Sequence, residues 1–197
     1  MKHLVLAVLV GVMLTSAAVG GTLKTLGLGV QAPTFTLPDM AGKAHALGDY
    51  GQQKAVVVMF ISTQCPVSNA YNERMVQLHR DYADEGVTFL GINASQRESV
   101  VEIRSHAAQH GFPFPVLKDV DNVIADAYGA QVTPQIYLID PAGLVRYQGR
   151  IDDSRNPQSI TSQDLRAALD AVLTGNTVPT PSTKAFGCAI NRVKRSS

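Results

Sequence analysis

The stretch Phe60-Ile61-Ser62-Thr63-Gln64-Cys65-Pro66-Val67-Ser68 marks the point where one sequence pattern gives way to another. The apolar run Val56–Ile61 predicts a strand that is buried on both faces. Pro66 suits the first position of a helix, so the pattern predicts a strand that delivers Cys65 to a helix N-terminus. Amide N–H groups and the helix dipole favour a thiolate there, and the thiolate is the nucleophilic form of cysteine. Cys65 is therefore the candidate reactive group; the alternative is a small buried apolar residue.

Strand and helix patterns alternate along the rest of the chain. Strand patterns cover Ala32–Leu37, Lys54–Ile61, Val87–Ile92, Phe114–Leu117, Gln135–Asp140 and Leu144–Gln148. Helix patterns run from Pro66 toward Gly86, from a capping box at Ser95–Glu98 to Gly111, over Val123–Tyr128, and from Ser162 to Gly175. The early alternation predicts parallel crossovers, and the last two strands form a hairpin. The predicted fold class is α/β, with a mixed central sheet flanked by helices and an N-terminal strand extension.

The composition is that of a globular domain with a proper core, since 45% of the residues are hydrophobic. The 17 basic and 16 acidic residues leave a formal net charge of +1, which creates no field that would attract nucleic acid. Trp is absent and aromatic residues make up only 6%, so a surface for stacking bases is not expected either. We therefore expect no nucleic-acid partner.

The first twenty residues form a separate unit. A short basic start is followed by the apolar run Leu4–Leu14 and then by small residues, the pattern of a signal peptide over residues 1–20. We expect export to the periplasm or the extracellular space. If the segment is not cleaved, its uncharged stretch extends to Leu23 and is just long enough to anchor the protein in a membrane.

Three motifs carry a resemblance to a known family. They are Ala32-Pro33-x-Phe35-x-Leu37, the run Phe60–Ser68 around the cysteine, and Val132-Thr133-Pro134 before a strand. With these motifs, residues 30–175 resemble the thioredoxin-fold superfamily, in particular its peroxiredoxin-like or redoxin branch, which includes the AhpC/TSA relatives. The resemblance implies a thioredoxin-like fold.

The resemblance also implies roles for individual residues. Cys65 is expected to be the attacking thiol, and the bond before Pro134 is expected to be cis and to face that thiol. Thr133 and Pro134 would then expose backbone groups that pair with an extended substrate segment beside Cys65.

Two departures from the family pattern bear on the chemistry. Ser68 occupies the position of the second cysteine of a thioredoxin Cys-x-x-Cys pair, and a serine cannot resolve a mixed disulfide. Ser62 can supply the hydroxyl of a peroxidatic site, but Val58 stands where such sites have a proline, and the expected arginine has no match. Ser62 and Ser68 stay candidate substrate-binding residues.

After the first twenty residues, the chain divides into a Gly-rich linker (21–29), the domain (30–175) and a C-terminal tail (176–197). Cys188, the second of the two cysteines, lies in this tail. We expect this tail to be flexible and able to fold back over the domain. Our hypothesis is that Cys188 resolves a Cys65 intermediate or protects Cys65 as a resting disulfide. The alternatives are a lone packed residue and a bond between two chains.

Three functions compete on this basis. The first is an exported thiol–disulfide oxidoreductase, and the second is a thiol peroxidase. Their partners would be protein thiols and disulfides or a hydroperoxide, with an external thiol as electron donor. The third is a non-catalytic binding or chaperone-like module that uses Cys65 as an anchor. No cofactor is expected; His106 and His110 have a spacing that can share a metal, but no further ligand completes a set, so a solvated helix face is expected there.

Overall fold

The computed structural model of the chain describes residues 26–194. The predicted signal peptide, residues 1–20, lies outside the described residues. Between residues 26 and 194, no helix combines the length and the apolar character needed to cross a membrane.

A mixed five-stranded sheet forms the centre of the structure. The strands of the chain are β1 (Thr36–Pro38), β2 (Ala44–Ala46), β3 (Ala55–Phe60), β4 (Val87–Asn93), β5 (Val116–Lys118), β6 (Val132–Thr133), β7 (Gln135–Ile139), β8 (Val145–Gly149) and β9 (Cys188–Ala189). The central sheet has the order β5-β4-β3-β7-β8; β3, β4 and β5 are parallel, and β7 runs antiparallel to both of its neighbours. β1 and β2 form the predicted N-terminal extension as a separate hairpin, and β6 pairs with β9.

Helices cover both faces of this sheet. They are α1 (Pro66–Asn69), α2 (Asn72–Tyr82), α3 (Val100–Gln109), α4 (Val123–Tyr128) and α5 (Asp164–Leu173). Alternate residues of β3 belong to two different apolar cores: Val57 packs with α2, α3 and α5, and Val58 packs with α4. This two-sided burial explains why β3 is an unbroken apolar run. The predicted α/β fold with a mixed, helix-flanked sheet is confirmed.

Two predicted helix boundaries are wrong. The helix expected from Pro66 toward Gly86 is interrupted after Asn69, so that α1 is a single turn and α2 begins at Asn72. The capping box also lies four residues later than predicted: the Ser99 hydroxyl accepts a hydrogen bond from the Glu102 amide at 3.2 Å, and the Glu102 carboxylate accepts one from the Ser99 amide at 2.7 Å. Glu98 is consequently free for a different role.

The register of the sheet gathers the functional segments at one edge. Phe60, at the end of β3, has Gln135, at the start of β7, as its Cα partner. The loop that carries Cys65 follows the first residue, and Pro134 precedes the second, so the two segments meet. Because β4 and β5 run parallel to β3, their carboxyl ends reach the same edge.

The C-terminal tail is not a free segment, because it packs on the domain before it reaches Cys188. The Thr183 amide donates a hydrogen bond to the Gln148 carbonyl of β8 at 3.0 Å. The Phe186 ring lies on Tyr71, with 6.2 Å between the ring centroids. These contacts fix the tail on one side of Cys188, which the prediction of a flexible segment did not foresee.

The tail is also held on the other side of Cys188. Ile190 is 7% exposed and belongs to the core around α4. Its amide donates to the Gln131 carbonyl at 3.0 Å, and the Arg192 guanidinium pairs with Asp126 at 2.8 Å. Cys188 therefore lies in a segment anchored at both ends.

Candidate active site

Cys65 occupies the N-cap position of α1. Its backbone is extended, with φ −86° and ψ 114°, and Pro66 takes the first helical position as predicted. The Ser68 amide donates a hydrogen bond to the Cys65 sulfur at 3.3 Å. Since α1 is only one turn long, this specific N–H group, rather than a helix dipole, supplies the local stabilisation of a thiolate.

The segment Thr133-Pro134 lies directly against Cys65. The bond between these two residues is cis, as predicted. The Cys65 thiol donates a hydrogen bond to the Thr133 carbonyl oxygen at 3.2 Å. Thr133 is 4% exposed, and a hydrogen bond from its side chain contributes to lowering the pKa of Cys65.

The strand β9 brings Cys188 to the same place. Thr133 and Cys188 are Cα partners in the antiparallel pair β6–β9, so Cys188 lies beside Cys65 in the wall of one cavity, and each thiol shifts the pKa of the other. Both cysteines are free thiols in the structure. A side chain at Gly187 would put its Cβ only 1.9 Å from the Thr133 carbonyl oxygen, so the absence of a side chain is what lets the two backbones touch.

The two thiols ionise unequally. Burial opposes the ionisation of Cys65, but hydrogen bonds from the Cys188 thiol and the Ser68 amide outweigh it and lower the pKa of Cys65 below that of an ordinary thiol. The hydrogen bond to Cys65, together with burial, raises the pKa of Cys188. When the pair loses one proton, the charge is therefore on Cys65 and the remaining proton is on Cys188.

A cavity of about 130 Å³ opens beside the two sulfurs. Its wall is formed by Ser62, Gln64, Cys65, Ser95, Glu98, Thr133, Cys188, Ala189, Ile190 and Asn191. None of these lining residues, all within the described part of the chain, is an arginine or a lysine. Glu98 is among these lining residues, and none of their side chains offers a positive charge to a peroxide oxygen.

Comparison with known proteins places this arrangement in a family. A sequence profile described as AhpC/TSA family matches residues 28–148. The chain belongs to the AhpC/TSA family. The thiol-disulfide oxidoreductase ResA from Geobacillus thermodenitrificans is 32% identical to this chain over 132 residues, which cover 67% of this chain and 69% of that protein. This relative supports a thiol redox function.

Solved structures confirm the fold of this AhpC/TSA family member. A hypothetical protein from Sinorhizobium meliloti superposes with a TM-score of 0.81 at 34% identity, over 86% of this chain and 97% of that one. The thioredoxin domain of a thiol-disulfide oxidoreductase from Bacteroides vulgatus superposes with a TM-score of 0.55 at 23% identity, over 61% and 86%. The thioredoxin-like fold and the redoxin resemblance seen in the sequence are thus confirmed.

The two serines of the sequence motif lie in the loop that carries Cys65. The Ser62 hydroxyl donates to the Glu98 carboxylate and accepts from the Cys65 amide at 3.2 Å. Ser68 has no exposed surface, and its hydroxyl accepts from the Ser62 amide at 3.2 Å. Both hydroxyls therefore hold the loop in shape, and only Ser62 reaches the cavity wall.

Glu98 is the site residue that sequence reasoning missed. It is 3% exposed and lies under the cysteine loop, where its carboxylate also accepts hydrogen bonds from the Thr63 amide and the Thr63 hydroxyl, both at 2.7 Å. The side-chain NH₂ group of Asn93 donates a further hydrogen bond to this carboxylate at 2.7 Å. Burial raises the pKa of Glu98, but these hydrogen bonds outweigh it, so the pKa lies below the ordinary value.

A buried lysine completes this network from the other side. The Lys118 ammonium donates to the Asn93 side-chain oxygen at 3.0 Å and to the carbonyls of Ser95 and Glu98 at 2.6 and 2.9 Å. Burial lowers the pKa of Lys118. Asn93 and Lys118 are Cα partners at the ends of β4 and β5, so the parallel strands deliver the network that supports the cysteine loop.

Replacing Glu98 by glutamine should destabilise the protein by about 1–3 kcal/mol at pH 7, because an amide NH₂ would then face hydrogen-bond donors. A lowered pKa in the folded state means that the carboxylate contributes stability above the unfolded-state pKa of about 4.3, and that this contribution is lost as the pH falls through the folded-state value. The difference between wild type and Glu98→Gln should therefore shrink in urea unfolding curves recorded below about pH 4.

Glu102→Gln is the matched control for this variant. Glu102 closes the exposed capping box, where glutamine is also a favourable residue, so its replacement should leave the free energy of unfolding nearly unchanged. Equal effects of the two substitutions at pH 7 would contradict a supporting role for Glu98.

The two histidines at the end of α3 differ in exposure: His110, the C-cap residue, is exposed as expected, whereas His106 is not. The His106 ring is partly buried and lies within hydrogen-bond distance of the Asn69 and Asn72 side chains, at 3.0 and 3.3 Å. Its ring centroid is 4.4 Å from that of His110. Across residues 26–194, no group of three or more His, Cys, Asp or Glu side chains is arranged to hold a metal ion.

Proposed function

We propose that this protein is a thiol–disulfide oxidoreductase whose Cys65 and Cys188 alternate between two thiols and one intramolecular disulfide. The placement of both cysteines against Thr133, in the wall of one cavity, carries this proposal. Cys188 thereby supplies the second thiol of the pair, since Ser68 occupies the position of the second cysteine in the motif. The thiol redox function supported by the ResA relative is consistent with such a pair.

The local chemistry suits disulfide formation. Cys65 is the more acidic thiol, so it attacks and closes the internal bond when the oxidised sulfur is on Cys188. When Cys65 is oxidised first, Cys188 is the resolving thiol. In both cases the anchored tail keeps Cys188 beside Cys65. Thr133 lies against both cysteines and is followed by Pro134, Ser62 fixes the loop, and the chemistry needs no cofactor.

Peroxide reduction is the weaker candidate. A peroxidatic site needs hydrogen-bond donors that stabilise the departing oxygen, and such donors typically contribute several kcal/mol. The cavity wall has no arginine, and the Ser62 hydroxyl already donates to Glu98. A carboxylate in the wall would also repel the developing negative charge.

We further propose that residues 1–20 direct export to the periplasm or the extracellular space. In an oxidising compartment a protein with two cysteines can either carry a disulfide or exchange one. The partners would then be exported proteins with thiols or disulfides, with an external thiol as electron donor. The basic start and apolar run of this segment support the proposal.

The test is to oxidise the purified protein with oxidised glutathione and to map its disulfides by mass spectrometry. We expect both thiols to disappear in a monomer, and peptides 55–74 and 185–192 to be joined after tryptic digestion. Dithiothreitol should restore both thiols and transfer the oxidising equivalents to the reagent.

Cys65→Ser and Cys188→Ser are the controls, because each should form only a mixed disulfide with glutathione and no internal bond. Two free thiols after oxidation of the wild type, or covalent dimers in place of an internal bond, would contradict the proposed function.

A further inference from the structure

The two sulfurs of the proposed pair differ in exposure. Cys65 is only 2% exposed, because Thr133 and β9 cover it. Cys188 is partly exposed, and Gly187 and Ala189 on either side of it are exposed. A protein partner that approaches this surface therefore meets Cys188 before it can reach Cys65.

Uncovering Cys65 would require β9 to leave its place. The tail is fixed by Phe186 on one side of Cys188 and by the buried Ile190 on the other. Between them, Gly187 lies so close to the Thr133 carbonyl that even a methyl group would not fit. The backbone edge at which an extended partner would pair beside Cys65 is already occupied by the protein's own strand.

We propose that an external thiol reduces the Cys65–Cys188 disulfide by attacking the Cys188 sulfur, with Cys65 as the departing thiolate. This inference rests on the proposed function, because it requires that disulfide. It reverses the order that the thioredoxin resemblance implies: the cysteine at the helix start is internal, and the tail cysteine meets the partner.

The electron balance is that of two successive exchanges with a partner dithiol. In the first, a partner thiolate bonds to the Cys188 sulfur, the Cys65–Cys188 bond breaks, and its electron pair leaves on Cys65. In the second, the other partner thiolate attacks the partner sulfur of the mixed disulfide and releases Cys188, which takes up a proton. The partner is oxidised to a disulfide, and this protein is reduced to a dithiol.

The electrostatics of the pair favour the same direction. A thiol of lower pKa leaves faster in such an exchange, and the pKa of Cys65 is the lower of the two. The Ser68 amide is already aimed at the Cys65 sulfur at 3.3 Å, so the departing charge is received by a hydrogen bond that exists before the reaction. Attack at Cys65 would instead expel the less acidic thiol.

The test uses a thioredoxin variant whose second active-site cysteine is serine, so that the mixed disulfide is trapped. The oxidised full-length protein is mixed with this probe for a short time, quenched with acid, alkylated and digested. We expect the probe on peptide 185–192, which contains Cys188. A probe bound to peptide 55–74, which contains Cys65, would overturn the inference while leaving the proposed function intact.

A second measurement guards against migration of the probe between the neighbouring sulfurs. Reduced Cys65→Ser and Cys188→Ser are each labelled with maleimide and with maleimide coupled to polyethylene glycol. In each variant, the rate with plain maleimide is divided by the rate with the polyethylene glycol maleimide, so that the intrinsic reactivity of the thiol cancels. We expect this ratio to be larger for Cys65 than for Cys188 by roughly tenfold or more, since a bulky reagent reaches Cys65 only through local opening of the tail.

These results also distinguish a failure of the proposed function from a wrong direction of attack. If oxidation produces no Cys65–Cys188 bond, the proposed function fails before the probe is added. If the bond forms but bulk slows labelling of both cysteines equally, only the direction of attack is wrong.

Discussion

Closing the Cys65–Cys188 bond should raise the free energy of unfolding by about 2–4 kcal/mol over the dithiol form. The bond would link residues separated by more than half of the chain, and a cross-link that closes a long loop removes much of the entropy of the unfolded chain. The reduced structure already places both cysteines against Thr133 in the wall of one cavity, so closure demands little rearrangement of the fold.

Urea unfolding of the oxidised and the reduced protein measures this effect. With a typical urea dependence of about 2 kcal/mol per M, the expected gain moves the midpoint upward by roughly 1–2 M. Cys188→Ser is the control, because oxidising and reducing conditions should give it the same midpoint. Superimposable wild-type curves in the two states would mean that the cross-link adds nothing to the fold.

Most of the fold could be predicted from the chain because its signals are local. An unbroken apolar run identified β3, and the apolar stripe of α2 followed helical spacing with Tyr71, Met75 and Leu78 all buried. The break before Asn72 was missed, since a pattern that continues on the same face gives no sign of a one-turn interruption. Packing on the sheet, rather than propensity, decides where such a helix divides.

The supporting network of the site was harder to predict for a related reason. The sequence analysis predicts a capping box at Ser95–Glu98, but Ser99–Glu102 matches the same pattern. The structure uses the second match as the cap and buries Glu98 under the cysteine loop. Only the register that brings the ends of β4 and β5 to this edge distinguishes the two, and register is a long-range property.

The tail shows the same limit more strongly. Its Thr, Pro and Ser content is typical of a flexible segment, yet isolated residues such as Phe186 and Ile190 fix it to the domain. The sequence does not show which backbone Gly187 will approach. The partnership of Cys65 with Cys188 was therefore a hypothesis from the cysteine count, and the contact that supports it comes from the tertiary structure.

Gly187→Ala should lower the equilibrium constant for forming the Cys65–Cys188 disulfide by roughly 5- to 150-fold. The new Cβ would lie 1.9 Å from the Thr133 carbonyl oxygen and 2.7 Å from its carbon, both backbone atoms that no side-chain rotation can relieve. Overpacking of this kind costs about 1–3 kcal/mol, and each 1.4 kcal/mol is a factor of ten. In the reduced protein β9 can relieve the contact by giving up its pairing with β6 while the tail stays anchored on either side, whereas the disulfide would hold β9 in place, so most of the cost falls on the oxidised state.

Equilibration with glutathione redox buffers measures this constant directly, with the fractions of oxidised and reduced protein read by alkylation and mass spectrometry. Gly48→Ala is the matched control, because a Cβ there has no atom within 4 Å, and its equilibrium constant should equal that of the wild type. An unchanged constant in Gly187→Ala would show that β9 does not need its close approach to Thr133 to present Cys188. The anchored tail would then no longer explain how a thioredoxin-like fold without a second cysteine in its motif obtains a resolving thiol.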